Sequence, residues 1–204
     1  MIPLRTSIAA PAWTPALWLL LTVNVVLFLV RRTLSPADYE QFLYEFALVP
    51  ARYTFPHIAR EAGLDPSNLL PLLTNVFLHG GWMHLILNMW TLWLFGRALE
   101  ASLEAARFAP FYLACGLLAS VAHLLFNLTS LAPTLGASGA IAGVLGTYTI
   151  EYPKAKLVMV IPLGVIPLFW SLPAPVYTGL WFFFQLLWGA MSLQETPHGA
   201  GIAW

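Results

Sequence analysis

Apolar residues along the chain gather into five long runs set apart by polar stretches. The first covers residues 15–30 and stops at the basic pair Arg31-Arg32. Others cover 71–95, 108–127, 138–148 and 175–191, each closed by glycine, charge or a polar loop. A run of about 20 apolar residues has the length of a helix that crosses a bilayer, so the runs predict five membrane helices. Stretch 157–170 is as apolar, but it is short and carries Pro162 and Pro167; it reads as interfacial or re-entrant. Segment 32–70 mixes acids, arginines, prolines and aromatics. It is too polar to span and too rich in large apolar residues for a plain linker, so a structured outer-surface loop with short amphipathic helices is expected. Pro133 marks 129–137 as a loop, and polar residues 192–200 lead into Gly201-Ile202-Ala203-Trp204.

Composition strengthens this picture. Hydrophobic residues make up 59% of the 204 and charged residues 9%, with a mean hydropathy of +0.76. Such a chain is expected to be an all-α polytopic protein whose surroundings are the lipid bilayer. Nine Lys and Arg balance nine Asp and Glu, which argues against a nucleic-acid partner. The single cysteine, Cys115, lies within an apolar run and is expected to pack there. Arg97, Arg107, Lys154 and Lys156 fall after the second and fourth runs, whereas no Lys or Arg follows the third or fifth. That asymmetry places the N-terminus in the cytoplasm, in a plasma (inner) membrane. Arg31 and Arg32 pull the other way.

Polar residues at membrane depth are the candidates for chemistry. Residues 135–148 hold Ser138 among Gly136, Gly139, Gly143 and Gly146. The small residues recur at intervals of four, a spacing that admits a close neighbouring helix. His84 and Asn88 are four apart on the second run and share a helix face. His79 lies five residues before His84 and is expected to be turned partly away. His84 is thirteen residues from Arg97, as Ser138 is from Glu151, about 20 Å along a helix. Both would then lie roughly 10 Å below the outer surface of a core about 30 Å thick, and the loop before Ser138 would dip into the membrane beside protein or water. The residues alone leave two readings open. One makes His84 a base for Ser138 and Asn88 an oxyanion donor; the other has these groups, like Asn24, only hydrogen-bond across helices.

The stretch Gly136-Ala137-Ser138-Gly139, the small-residue helix after it, and His84-Leu85-Ile86-Leu87-Asn88 resemble the rhomboid family of intramembrane serine proteases. The long first loop, His79-Gly80-Gly81-Trp82-Met83-His84, Gly96 with Glu100, Leu172-Pro173, and Gly179-Leu180-Trp181 with Gln185 extend the likeness over almost the whole chain. The resemblance implies one rhomboid-like transmembrane domain over 1–204. It also implies Ser138 as nucleophile, with His84, Asn88 and the Ser138 backbone N–H stabilising the oxyanion. His79, Gly136 and Gly139 support them, and the fifth helix with the loop after it forms gate and cap. Transmembrane protein substrates would be cut near a membrane boundary, with no metal and no cofactor. The family's general-base histidine sits on a sixth helix, after an element matched by Gly201-Ile202-Ala203-Trp204. On that reading five of six helices are present, the general-base histidine is not in this chain, and the 204 residues alone do not cleave. Ala142 stands where some relatives carry a tyrosine. His123 is expected to make a structural hydrogen bond and His198 to be a solvated loop residue. Two other classes compete: a catalytically inactive rhomboid-like protein that binds transmembrane clients, and an unrelated transporter or scaffold.

Overall fold

The computed structural model describes residues 2–163 and 166–192. The chain opens with β1 (Ile2–Thr6) and α1 (Pro15–Arg31), then three short helices, α2 (Pro36–Phe46), α3 (Ala51–Thr54) and α4 (Pro56–Glu61). There follow α5 (Pro71–Thr74) with a 3-10 turn at Asn75–Phe77, then α6 (Trp82–Leu103), α7 (Ala105–Phe126) and α8 (Ser138–Glu151). A hairpin of β2 (Lys156–Leu163) and β3 (Ile166–Pro173) leads into α9 (Ala174–Ser192). Local chemistry sets many of these boundaries. Pro15 and Pro36 occupy first helical positions, where a missing N–H costs nothing. Ser35 caps α2 by accepting the Asp38 N–H and donating its hydroxyl to the Asp38 carboxylate. At α1 the cap comes from another helix. Thr14 makes no side-chain cap, and the buried Glu100 carboxylate of α6 accepts the N–H groups of Ala16 and Leu17 at 3.1 and 2.6 Å. These are among the orphan donors of a first turn, at the positive end of the helix dipole.

Helix α8 is the axis of the core. Ala140, Ile141, Val144, Leu145 and Tyr148 are fully buried against α6, α7 and α9. Helices α6 and α8 run in the same direction. A hydrogen bond from the Ser102 hydroxyl to Glu151 joins their C-terminal ends, while Gly136 and His84 touch at the other. Helix α7 runs alongside at very short range. A Cβ on Gly139 would come within 2.4 Å of Ala119 Cβ, and one on Gly143 within 2.3 Å of Cys115 Sγ. The small-residue packing therefore holds along the 139/143 stripe. It does not extend to Gly146, where a Cβ would meet nothing within 4 Å.

The expectation of an all-α chain is corrected: the protein is mostly helical with a three-stranded antiparallel sheet, ordered β1-β2-β3. The stretch 157–170, expected to be interfacial or re-entrant, forms its hairpin. Pairing runs from Lys156 opposite Pro173 to Leu163 opposite Ile166, with Pro162 opposite Pro167 near the turn. Two prolines within six residues break a helix, whereas a hairpin end tolerates them. Leu157 and Met159 are buried while Lys156 is exposed and Val158 half-buried, the alternation of a strand with one face on a core. Trp90 Nε1–H donates to the Pro3 carbonyl at 2.6 Å, pinning β1 to α6. A helix occupies each of the five expected positions. Among the described residues, α7 is the helix long and apolar enough to cross a membrane; α1 and the stretch Ala174–Leu187 are apolar but shorter.

Candidate active site

The second apolar run is broken, and the break shapes the site. Residues 78–81 are non-helical, Gly81 takes an extended conformation, and α6 begins at Trp82. His84 thus sits in the first turn of α6 and Asn88 one turn further on. His79 is not on their helix at all, and the expectation that it turns away is corrected. The loop folds back so that Asn88 Nδ2–H donates to His79 Nε2 at 3.1 Å. The His79 and His84 rings meet edge to face with centroids 5.0 Å apart. All three side chains are buried. Accepting at Nε2 leaves neutral His79 with its proton on Nδ1, so this ring orients Asn88 while one Asn88 N–H stays available.

Ser138 is the first residue of α8 and is half-buried. The turn that delivers it depends on Gly136. Its φ of +136° lies where side-chain-bearing residues are rarely found, and a Cβ there would stand 2.8 Å from both Cε1 and Nε2 of His84. The Gly136 N–H donates to the Asn75 carbonyl at 2.9 Å. The imidazole therefore lies on the backbone two residues before the serine. The first N–H groups of α8 have no side-chain cap, since Ala137 occupies the cap position, and they lie at the end of α8 where His84 packs on Gly136. Ala142, one turn into α8, is half-buried.

His84 and Asn88 also line a largely apolar cavity of about 550 Å³ between α6, α9 and the hairpin, with Thr91, Met159, Tyr177 and Trp181 among its walls. Three residues that shape the site went unread in the sequence. Asn75 is buried; its carbonyl holds Gly136 while its side chain donates to the Pro71 carbonyl and to Ser120 Oγ. Its signal was a second amide in the apolar run that also carries Asn88. Arg31 stacks over Phe28 and Tyr39 and donates to the Gly80 carbonyl at 2.8 Å, so a residue read as a topology charge props the loop that carries His79. Thr134 shares a hydrogen bond of 2.9 Å with His123 Nε2, the structural bond expected of that histidine. His198 and Gly201-Ile202-Ala203-Trp204 lie outside the described residues. Among those described, no group of three or more His, Cys, Asp or Glu side chains could hold a metal.

A family model for the Rhomboid domain matches residues 66–204. The chain belongs to the rhomboid family. Rhomboid domains are helical and membrane-embedded, so an unrelated transporter or scaffold is set aside. Similar proteins include Rhomboid protein 1, mitochondrial, of Saccharomyces cerevisiae, 35% identical over 94 residues, 44% of this chain and 27% of that one. Presenilin-associated rhomboid-like protein A, mitochondrial, of Danio rerio is 33% identical over 94 residues, 45% of this chain and 24% of its own. Rhomboid protease GluP of Bacillus subtilis is 45% identical over 75 residues, 37% and 14% respectively. The matched stretch spans about a quarter or less of each of these relatives.

Proposed function

We propose that this rhomboid is an intramembrane serine endopeptidase that cleaves transmembrane segments of membrane-protein substrates near the membrane boundary. The observation that supports this reading is the packing of His84, one turn before Asn88 on α6, against Gly136, two residues before Ser138 at the start of α8. Ser138 Oγ attacks the scissile carbonyl carbon. The carbonyl oxygen becomes an oxyanion that accepts from His84, from Asn88 Nδ2–H and from the Ser138 N–H. Collapse expels the amine and leaves an acyl-enzyme, which water hydrolyses. By the family likeness a histidine outside the described residues is the general base, taking the Ser138 Oγ proton and handing it to the leaving amine. The substrate segment enters by the cavity between α6 and α9, with α9 and the loop after it as gate and cap. Segment 32–70 rests on the outer membrane surface. The N-terminus faces the cytoplasm from a plasma (inner) membrane; loop charge supports that orientation, and with Arg31 held by Phe28, Tyr39 and Gly80, one of the two charges that opposed it has a structural use. Fractionation with mitochondria, the compartment in two relatives' names, would refute that location.

The test is fluorophosphonate labelling and cleavage of a transmembrane substrate by the full-length protein in liposomes, beside Ser138→Ala. Labelling and cleavage that both vanish in Ser138→Ala are expected. A wild-type protein that captures transmembrane segments but neither labels nor cleaves is instead an inactive client-binding rhomboid.

A further inference from the structure

Thr134 is the hub of the loop that leads to Ser138. Its N–H donates to the Leu48 carbonyl at 2.7 Å and its carbonyl accepts the Leu48 N–H at 2.9 Å, an isolated antiparallel bridge to the segment after α2. Its hydroxyl is paired with His123 Nε2 on the last turn of α7. The end of α7 is itself tied down, because Asn127 Nδ2–H donates to the His123 carbonyl at 2.9 Å. Between Thr134 and the anchored Gly136, Leu135 is buried against Ala47 and Leu78. Helix α7 therefore touches the nucleophile's element twice. Ala119 and Cys115 set how closely α8 lies, and His123 holds the loop by which the chain enters it.

We propose that His123 is a positioning residue for Ser138, holding residues 134–138 at the height that seats Gly136 on His84. This role rests on the reading of Ser138 as the nucleophile. A loop without the His123–Thr134 bond keeps its fold through Leu48 and Asn75 but gains freedom along the α7 axis. Attack geometry is sensitive to such freedom, since a displacement of about 1 Å costs on the order of 100-fold in rate.

The experiment compares Thr134→Val and His123→Leu, which remove the bond at similar volume, with Thr134→Ser and His123→Gln, which retain hydrogen-bonding groups. Each is made in the full-length protein in liposomes. Steady-state kinetics on a transmembrane substrate, the fluorophosphonate labelling rate at Ser138, and amide hydrogen exchange over 127–140 are measured. For Thr134→Val and His123→Leu, kcat and labelling are expected to fall about 10- to 100-fold with KM unchanged and exchange at 134–138 accelerated. Thr134→Ser and His123→Gln should recover most of the rate, and the double variant His123→Leu/Thr134→Val should be no slower than the worse single one. Unchanged kcat with faster exchange would overturn the role. So would equal losses in the conservative variants, or a change confined to KM or thermal stability. If the wild-type protein itself does not label, the chemistry assigned to Ser138 fails and this role with it; faster exchange in Thr134→Val would then identify the error as the chemistry and not the bond.

Discussion

Replacing Gly136 by alanine probes how tightly His84 and the serine loop are packed. At φ +136° an alanine sits in a region that costs about 1–3 kcal/mol to occupy. Its Cβ would also lie 2.8 Å from two ring atoms of His84, and overpacking of this kind costs about 1–3 kcal/mol. One loop displacement relieves part of both, so the net loss of stability is about 2–4 kcal/mol. That displacement draws the Gly136 N–H off the Asn75 carbonyl and carries Ser138 with it. Labelling should therefore fall by about 100-fold, more steeply than the loss of folded protein explains. Thermal unfolding in detergent together with fluorophosphonate labelling measures the two effects on one sample. Gly146→Ala is the matched control. It lies in the same glycine-rich run with open space around it, and it should gain about 0.5–1 kcal/mol from helix propensity. A Gly136→Ala protein as stable and as reactive as wild type would refute the packing of His84 on this loop.

Three further outcomes are expected. Glu100→Ala uncaps α1 by leaving the buried Ala16 and Leu17 N–H groups without their charged acceptor; at about 1.5–3 kcal/mol for each bond the loss is about 3–6 kcal/mol, and Glu100→Gln, which keeps one acceptor oxygen, should lose less by chemical denaturation. Gly143→Leu has no room beside Cys115 and should abolish folding in detergent; a thermally unchanged protein would show that this face does not pack on α7. His84→Ala and Asn88→Ala should each lower turnover by about 10²–10³, the usual effect of losing one oxyanion donor, with circular dichroism unchanged, and near-normal cleavage by both would remove them from the oxyanion site.

Strong local signals made part of this structure legible in the sequence. Helix α8 begins at Ser138 because the glycine before it turns the chain and small residues follow, and both features are visible in the residues. Pro15 and the Arg31-Arg32 pair likewise mark the ends of α1. Where the expectation missed, the cause was an apolar run that hides a change of conformation. Leu78, His79, Gly80 and Gly81 interrupt residues 71–95 without lowering their hydrophobicity much, so the start of α6 at Trp82 was missed and His79 was assigned to the wrong face. The hairpin escaped for a related reason. Its inward Leu157 and Met159 alternate with valines, so the period of two exists in burial but not in polarity. The approach of His84 to Gly136 joins residues 52 apart, and no local pattern encodes it.

The size of α8 explains why the long segment 32–70 accompanies the site. Fourteen residues rise about 21 Å, short of a hydrocarbon core of about 30 Å. In a membrane protein the remaining depth falls to loop 127–137, which cannot satisfy its backbone groups with water. The segment around α3 supplies the missing partners. Leu48 takes both backbone groups of Thr134, the Ala51 N–H donates to the Ser130 carbonyl at 2.9 Å, and the Thr54 hydroxyl donates to the Leu128 carbonyl. From the other side Asn75 takes the Gly136 N–H. On the proposed reading, a short helix is what lets Ser138 start below the membrane surface, and a short helix needs such a brace. The polar segment 32–70 is thus as much a part of the site as the helix that carries Ser138, although no residue of it lines the cavity beside His84 and Asn88.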